Sequence, residues 1–316
     1  MSVNEFHSSP DDDRPTPHFD KLKELLNNAK LPPGDRFGVE EAVSSYRAWI
    51  AAMNALGSRG DEKVGELVAL ANQYKRSVEL DVIWDSDADF LFRQRGQLKL
   101  DNSIIEEFLP RLVDPAIIPA LKGKDYCSGP RTTFSAASFV TSLVSPAKGA
   151  GLQIRRKDQD FTVSREAYLQ ASYHPSFPVN DTTTHKVYLA FAAAECKTNL
   201  DKTMFQEATA TGHDLKMAFP GARYYVLCEW LDMTPISTRA TDIDEVIILR
   251  GKRLAANVRA KFSNSASRRQ SRGWYEEFLT ENPVRLDRVL RFVEHLRGLF
   301  DMEAPVETDV LEKGYF

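Results

Sequence analysis

Two short acid-bearing stretches carry the chemistry open to this chain of 316 residues. In Ala190-Phe191-Ala192-Ala193-Ala194-Glu195-Cys196-Lys197 an apolar run ends in a carboxylate and an amine. Side chains two apart on a strand share a face, so Glu195 and Lys197 point one way and Cys196 the other. Upstream, Lys157-Asp158-Gln159-Asp160-Phe161 supplies two more carboxylates, and the parity that puts both on one face does not choose between them. Carboxylates are hard oxygen donors suited to Mg²⁺, and the backbone carbonyl of Cys196 is placed to add another oxygen. A cation held there would neutralise charge building on a phosphate and lower the pKa of a bound water. A lysine with an unperturbed pKa of about 10.4 is a poor free base, so Lys197 is assigned orientation and charge stabilisation. Taken alone, Glu-x-Lys also fits a solvated strand end with a weak ion pair.

The flanking sequence argues for more than that. Lys186 to Ala194 has the apolar content of a strand covered on both faces. Asp201 to Phe219 has helical spacing through Met204, Ala208, Thr211, Leu215 and Phe219, and stops at Pro220-Gly221. Ala222 to Leu231 reads as a second apolar strand. Strand, crossover helix and strand make a βαβ unit, which places the loop after Lys197 at the carboxyl end of a sheet, where ligands bind.

An Asp on one strand with Glu-x-Lys on the next is the constellation of PD-(D/E)XK nucleases. The blocks KDQDF, AECKTNLDKTMFQEA, LCEWLDM and TDIDEVIILR resemble restriction endonucleases of the BbvCI type, over about Asp87 to Arg272. Those enzymes pair related but non-identical subunits on asymmetric CCTNAGC-type sites. The resemblance implies a Mg²⁺-dependent type II endonuclease subunit with Asp160, Glu195 and the Cys196 carbonyl on the metal and Lys197 beside them. Asp160 is preferred to Asp158 because an apolar residue follows it, as in similar nucleases. Gln206, on the helix after the site, would brace Lys197 or a phosphate, or face solvent.

Charge is distributed in keeping with a double-stranded DNA partner. The net charge is −4, yet residues 1–20 and 301–316 each carry −4, which leaves the body at +4. Arg250, Lys252, Arg253, Arg259, Lys261, Arg268, Arg269 and Arg272 form a run without one acid, the footprint of a phosphate-binding surface, or else a solvated helix. A second polar burst, Arg93-Gln94-Arg95 with Gln97, has the side chains that make paired hydrogen bonds to guanine and adenine edges.

Three cysteines without Cys-x-x-Cys spacing suggest neither a disulfide framework nor a zinc site. His174 and His185 lack partners at metal-ligand spacing. No apolar run reaches the roughly 20 residues that span a bilayer, and the amino terminus lacks signal-peptide order, so the expected location is cytoplasmic, away from membranes. The expected organisation is an acidic disordered tail (1–18), a helical amino-terminal region (19–85), a nuclease domain with its DNA-binding elements (86–300) and a mobile acidic tail (301–316). The fold class is α/β: a restriction-endonuclease-like core with a mixed central sheet, in the order helix, three strands, helix, strand, flanked by helices. Thr133 to Val144 is read as the helix before the first nuclease strand. Two alternatives stay open, a catalytically silent binding subunit and a self-sufficient homodimer.

Overall fold

The computed structural model describes residues 14–300 together with 308, 311, 312 and 314. Both terminal tails therefore lie largely outside the described residues. The last two residues of the expected amino-terminal tail are helical: α1 spans Pro17–Leu26, and His18 within it is fully buried. Helices α2 (Pro33–Asn54) and α3 (Gly60–Ser77) follow, and α3 runs into a π-helical turn, Val78–Trp84. Then come α4 (Phe90–Leu98) and α5 (Asn102–Phe108). Val64, Leu67, Ala71 and Tyr74 recur at helical spacing along α3 and all are buried.

Among the described residues one sheet of five strands runs in sequence order: β1 (Cys127–Phe139), β2 (Leu152–Ala171), β3 (Thr183–Leu200), β4 (Arg223–Leu231) and β5 (Glu245–Lys252). The first three pair antiparallel, and β4 and β5 are parallel to β3, which makes the sheet mixed. The βαβ unit is present, with α6 (Lys202–Ala218) crossing from β3 to β4 and capped by the Asp201 carboxylate on the Met204 N–H at 2.9 Å. Thr133 to Val144 is not a helix. Most of it belongs to β1, where Thr133 and Ser135 are buried and their neighbours are less so, a strand alternation that small polar residues disguised.

β2 coils strongly enough for its start to meet β3 a second time: Arg156 donates to the Lys186 carbonyl at 3.2 Å. The turn before β2 is packed tightly there. Gly149 has φ +58°, and a Cβ on it would lie 2.2 Å from Thr183 Oγ1, so only glycine fits. After β5 come α7 (Ala256–Ala260), α8 (Ser265–Gln270), α9 (Arg272–Glu281) and α10 (Leu286–Gly298). α10 lays Val289, Phe292, Val293 and Leu296 against the sheet, with Phe292 between Phe161 of β2 and Tyr225 of β4 at ring distances of 5.6 and 5.5 Å. Each sheet face has its own core. Ala192, Ala194 and Cys196 face the amino-terminal helices and α10, while Ala190, Ala193 and Leu200 face α6.

Candidate active site

Pairing between β2 and β3 reaches Phe161 opposite Ala194 and stops. Asp160 and Glu195 are the next residues on the two strands, so both carboxylates stand where the sheet splits. Beyond the split β2 pairs only with β1, and β3 only with β4. The backbone donor freed on β3 is not left bare: Cys196 N–H donates to Asp160 Oδ2 at 2.9 Å. Asp158 turns instead to Thr132 of β1.

β3 keeps the expected parity. Lys197 Nζ lies 2.6 Å from Glu195 Oε1, on the α6 side, and Cys196 is buried on the other face. Glu195 Oε2 accepts the Tyr224 hydroxyl at 2.9 Å. Burial, then Glu195, raises the Tyr224 phenol above its ordinary range, which keeps it a donor. Tyr224 is held from behind by Gly212 of α6, where a Cβ would sit 2.7 Å from the ring. A close helix-to-strand approach thus fixes the ring that orients the carboxylate.

The amino-terminal helices close the other side of the site. Asn102 Nδ2 donates to the Cys196 carbonyl at 3.1 Å and to Glu106 Oε1 at 2.9 Å. Lys99 Nζ sits 3.4 Å from Asp160 Oδ1 and 3.2 Å from Glu106 Oε1. Burial, then the Asp160 charge, pushes the Glu106 carboxyl upward. Burial acts to lower Lys99, but Asp160 and Glu106 outweigh it and hold the ammonium above its usual value. These residues, with Tyr224, were missed by sequence reasoning. One signal was there: Asn102 and Glu106 are four apart on a helix, hence on one face, amid Ile104, Ile105 and Phe108.

A divalent cation fits this donor set. Asp160 Oδ1 and Glu195 Oε1, both carboxylate oxygens, are each turned toward an ammonium group, and the Cys196 carbonyl is adjacent. Among the described residues no group of three or more His, Cys, Asp or Glu side chains is gathered into a metal cluster, and a cation at this set would rest on two carboxylates and a backbone oxygen. A cleft of about 560 Å³ opens from Asp160 and Glu195 between β2 and α6, and Asp158, Glu207 and Asp214 also line it. Gln206 does not reach it. It lies on the exposed face of α6, one position away from the face that does.

The expected DNA-binding residues divide into two groups. Arg250 and Arg268 are corrections. Arg250 is buried in an ionic network with Glu79 at 2.9 Å and Glu229 at 3.2 Å, which Lys75 completes at 2.9 Å from Glu229. Arg268 is fully buried, donating to the carbonyls of Trp84 at 2.8 Å and Ser86 at 2.7 Å and pairing with Asp89. Arg269 pairs with Asp87, Arg272 with Asp81 and Asp85, and Arg253 with Asp232. Five of the eight bases in the run are thus paired with acids outside it. Lys252, Arg259 and Lys261 have no ion pair among the described residues. On α4, Arg93 and Gln97 are exposed one turn apart and Gln94 is half-buried, while Arg95 folds over the Phe92 ring at 4.2 Å.

No curated protein sequence matches the chain. A solved structure of native BbvCI, an A2B2 tetramer, is similar with a TM-score of 0.59 and 20% identity, over 91% of this chain and 98% of that one. That likeness shows the restriction-endonuclease-like fold. The model of the Bpu10I restriction endonuclease family matches residues 97–316, from the last residues of α4 onward and with every strand and candidate site residue on the sheet inside the match. The chain therefore belongs to the Bpu10I restriction endonuclease family.

Proposed function

We propose that this subunit hydrolyses one strand of a specific, asymmetric duplex DNA site in the split between β2 and β3, with Mg²⁺ as cofactor. The observation that supports it most is the convergence of Asp160, Glu195 and Lys197 on the divergence of two strands, with a solvent-open cleft beside them. Bound there, Mg²⁺ would supply charge neutralisation at the phosphate and a more acidic water. The chain's own residues do the rest. Asp160 and Glu195 hold the cation, Asn102 fixes the Cys196 carbonyl, Tyr224 orients Glu195, and Lys197 holds the attacking water and a phosphate oxygen. In the catalytically silent alternative there is no role for two carboxylates at a phosphate, which they repel.

A related second subunit is part of this reading, since an asymmetric site needs two different reading surfaces. The similar BbvCI assembly is an A2B2 tetramer. The turns at the tip of the coiled hairpins leave Leu143, Val144 and Val179 almost wholly exposed, as an interface requires. Incubating the purified chain with supercoiled plasmid and Mg²⁺ should give nicked circles, and none with EDTA. Efficient double-strand breaks at a palindromic site would replace the two-subunit reading with the homodimer. Inactivity both alone and with a related subunit would favour the silent one.

A further inference from the structure

A second concave site lies just beyond Lys197 along β3. Its volume is about 180 Å³, below the roughly 300–1,000 Å³ of pockets for drug-sized ligands and on the scale of a single planar ring system. Thr198 and Asn199, which directly follow Lys197 on β3, form one wall, and Trp230 at the corresponding end of β4 forms another. Trp230 stacks on Phe278 at 5.4 Å, and the stacked pair Trp84 and Tyr275, at 3.8 Å, lies deeper. The pocket also meets three guanidinium groups. Arg95 and Arg253 are engaged with Phe92 and Asp232, whereas Arg259 has no ion pair among the described residues and its Nε is buried without a hydrogen-bond partner.

Flat aromatic walls, amide and hydroxyl groups at the strand exit and an unpaired guanidinium are what a nucleobase and its phosphate require. Rings offer stacking to any base, Asn199 and Thr198 can meet a base edge, and Arg259 can meet the backbone. A pocket for an aliphatic ligand would not need the cations, and one for phosphate alone would not need the rings. We propose that this pocket receives one nucleobase of the DNA substrate, turned out of the stack near the phosphate held at Lys197. The proposal rests on the nuclease reading for its substrate, but the pocket can be tested without cleavage. Extrusion opens a base pair, a cost that falls when the base is already mismatched. Mismatches at one position should therefore strengthen binding and those elsewhere should not.

The first measurement titrates the full chain with 2′-deoxyadenosine 5′-monophosphate, following tryptophan fluorescence, against 2-deoxyribose 5-phosphate, which carries the phosphate without the base. Saturable quenching by the nucleotide, with binding about tenfold weaker for the sugar phosphate and for Trp230→Leu, is the expected result. Equal binding of the two, or none by either, would overturn the proposal. The second measurement scans single mismatches through a bound duplex in Ca²⁺. One position should bind about tenfold tighter than the matched duplex, and Trp230→Leu and Arg259→Gln should each erase that gain. Weaker binding at every mismatched position would overturn the proposal and leave the nuclease reading standing. Inability to bind any duplex would sink the nuclease reading, with the nucleotide titration still deciding the pocket.

Discussion

The backbone N–H of Cys196 donates to the carboxylate of Asp160 at 2.9 Å, so one proposed metal-holding group also finishes the hydrogen bonding of the strand that carries the other. The two roles separate by mutation. Asp160→Asn keeps an acceptor for the N–H and removes the charge, whereas Asp160→Ala leaves the donor unpaired, at a cost on the order of 1–3 kcal/mol. Both should abolish cleavage, and only the alanine variant should lower the melting temperature. Asp158→Ala, which removes only the acceptor of the Thr132 hydroxyl, should keep its activity. Activity in Asp160→Asn with its loss in Asp158→Ala would move the metal site to Asp158.

Stability should depend on pH through Glu107, which is buried beneath α1 and accepts from Tyr46 and from the His18 N–H. Burial, the largest cause, raises its carboxyl from 4.5 to about 7 despite those hydrogen bonds. Between those values the folded chain binds more protons than the unfolded one, so this group's contribution falls as pH rises. His18, lowered to about 3 by burial and then by Lys75, opposes it, because its neutral form favours the fold as pH rises toward 6.5. The difference between wild type and Glu107→Gln isolates the carboxylate. Urea unfolding should show the variant gaining relative stability as pH increases, by on the order of 1–3 kcal/mol from about pH 5 to 8. A constant difference across that range would remove Glu107 as the source of the pH dependence.

Surface and core arginines should behave differently. Replacing Lys252, Arg259 and Lys261 with Gln should weaken binding to all fully matched duplexes alike and flatten the log–log salt dependence by roughly 0.9 for each phosphate no longer neutralised. Arg268→Gln should instead unfold readily, at a cost of about 3–5 kcal/mol, because Asp89 loses its buried partner and three backbone carbonyls lose a donor. An unchanged salt slope in the triple variant would take these residues off the DNA.

The site on the sheet was legible because strand parity and the crossover helix are local properties. Glu195 and Lys197 needed only a period of two, and α6 needed only its apolar spacing and the stop at Pro220-Gly221. What stayed hidden is long-range. Lys99 and Asn102 reach Asp160 and Cys196 across gaps of 61 and 94 residues, and the spacing of four between Asn102 and Glu106 is the one local hint of them. The basic run misled for the same reason, since the acids at 79–89 that pair with Arg250, Arg268, Arg269 and Arg272 are far upstream. β1 was misread because Thr133, Ser135 and Ala136 carry neither the branched bulk nor the apolar alternation of a typical strand.

The most direct measurement of the central claim is strand-resolved hydrolysis of an end-labelled duplex by Glu195→Gln, in assembly with an intact related subunit and Mg²⁺. Cleavage of one defined strand should fall to background while the other is cut at the normal rate, with the Kd for duplex in Ca²⁺ changed by less than about threefold. Undiminished cutting of both strands by the Glu195→Gln assembly would contradict the assignment of catalysis to the split between β2 and β3.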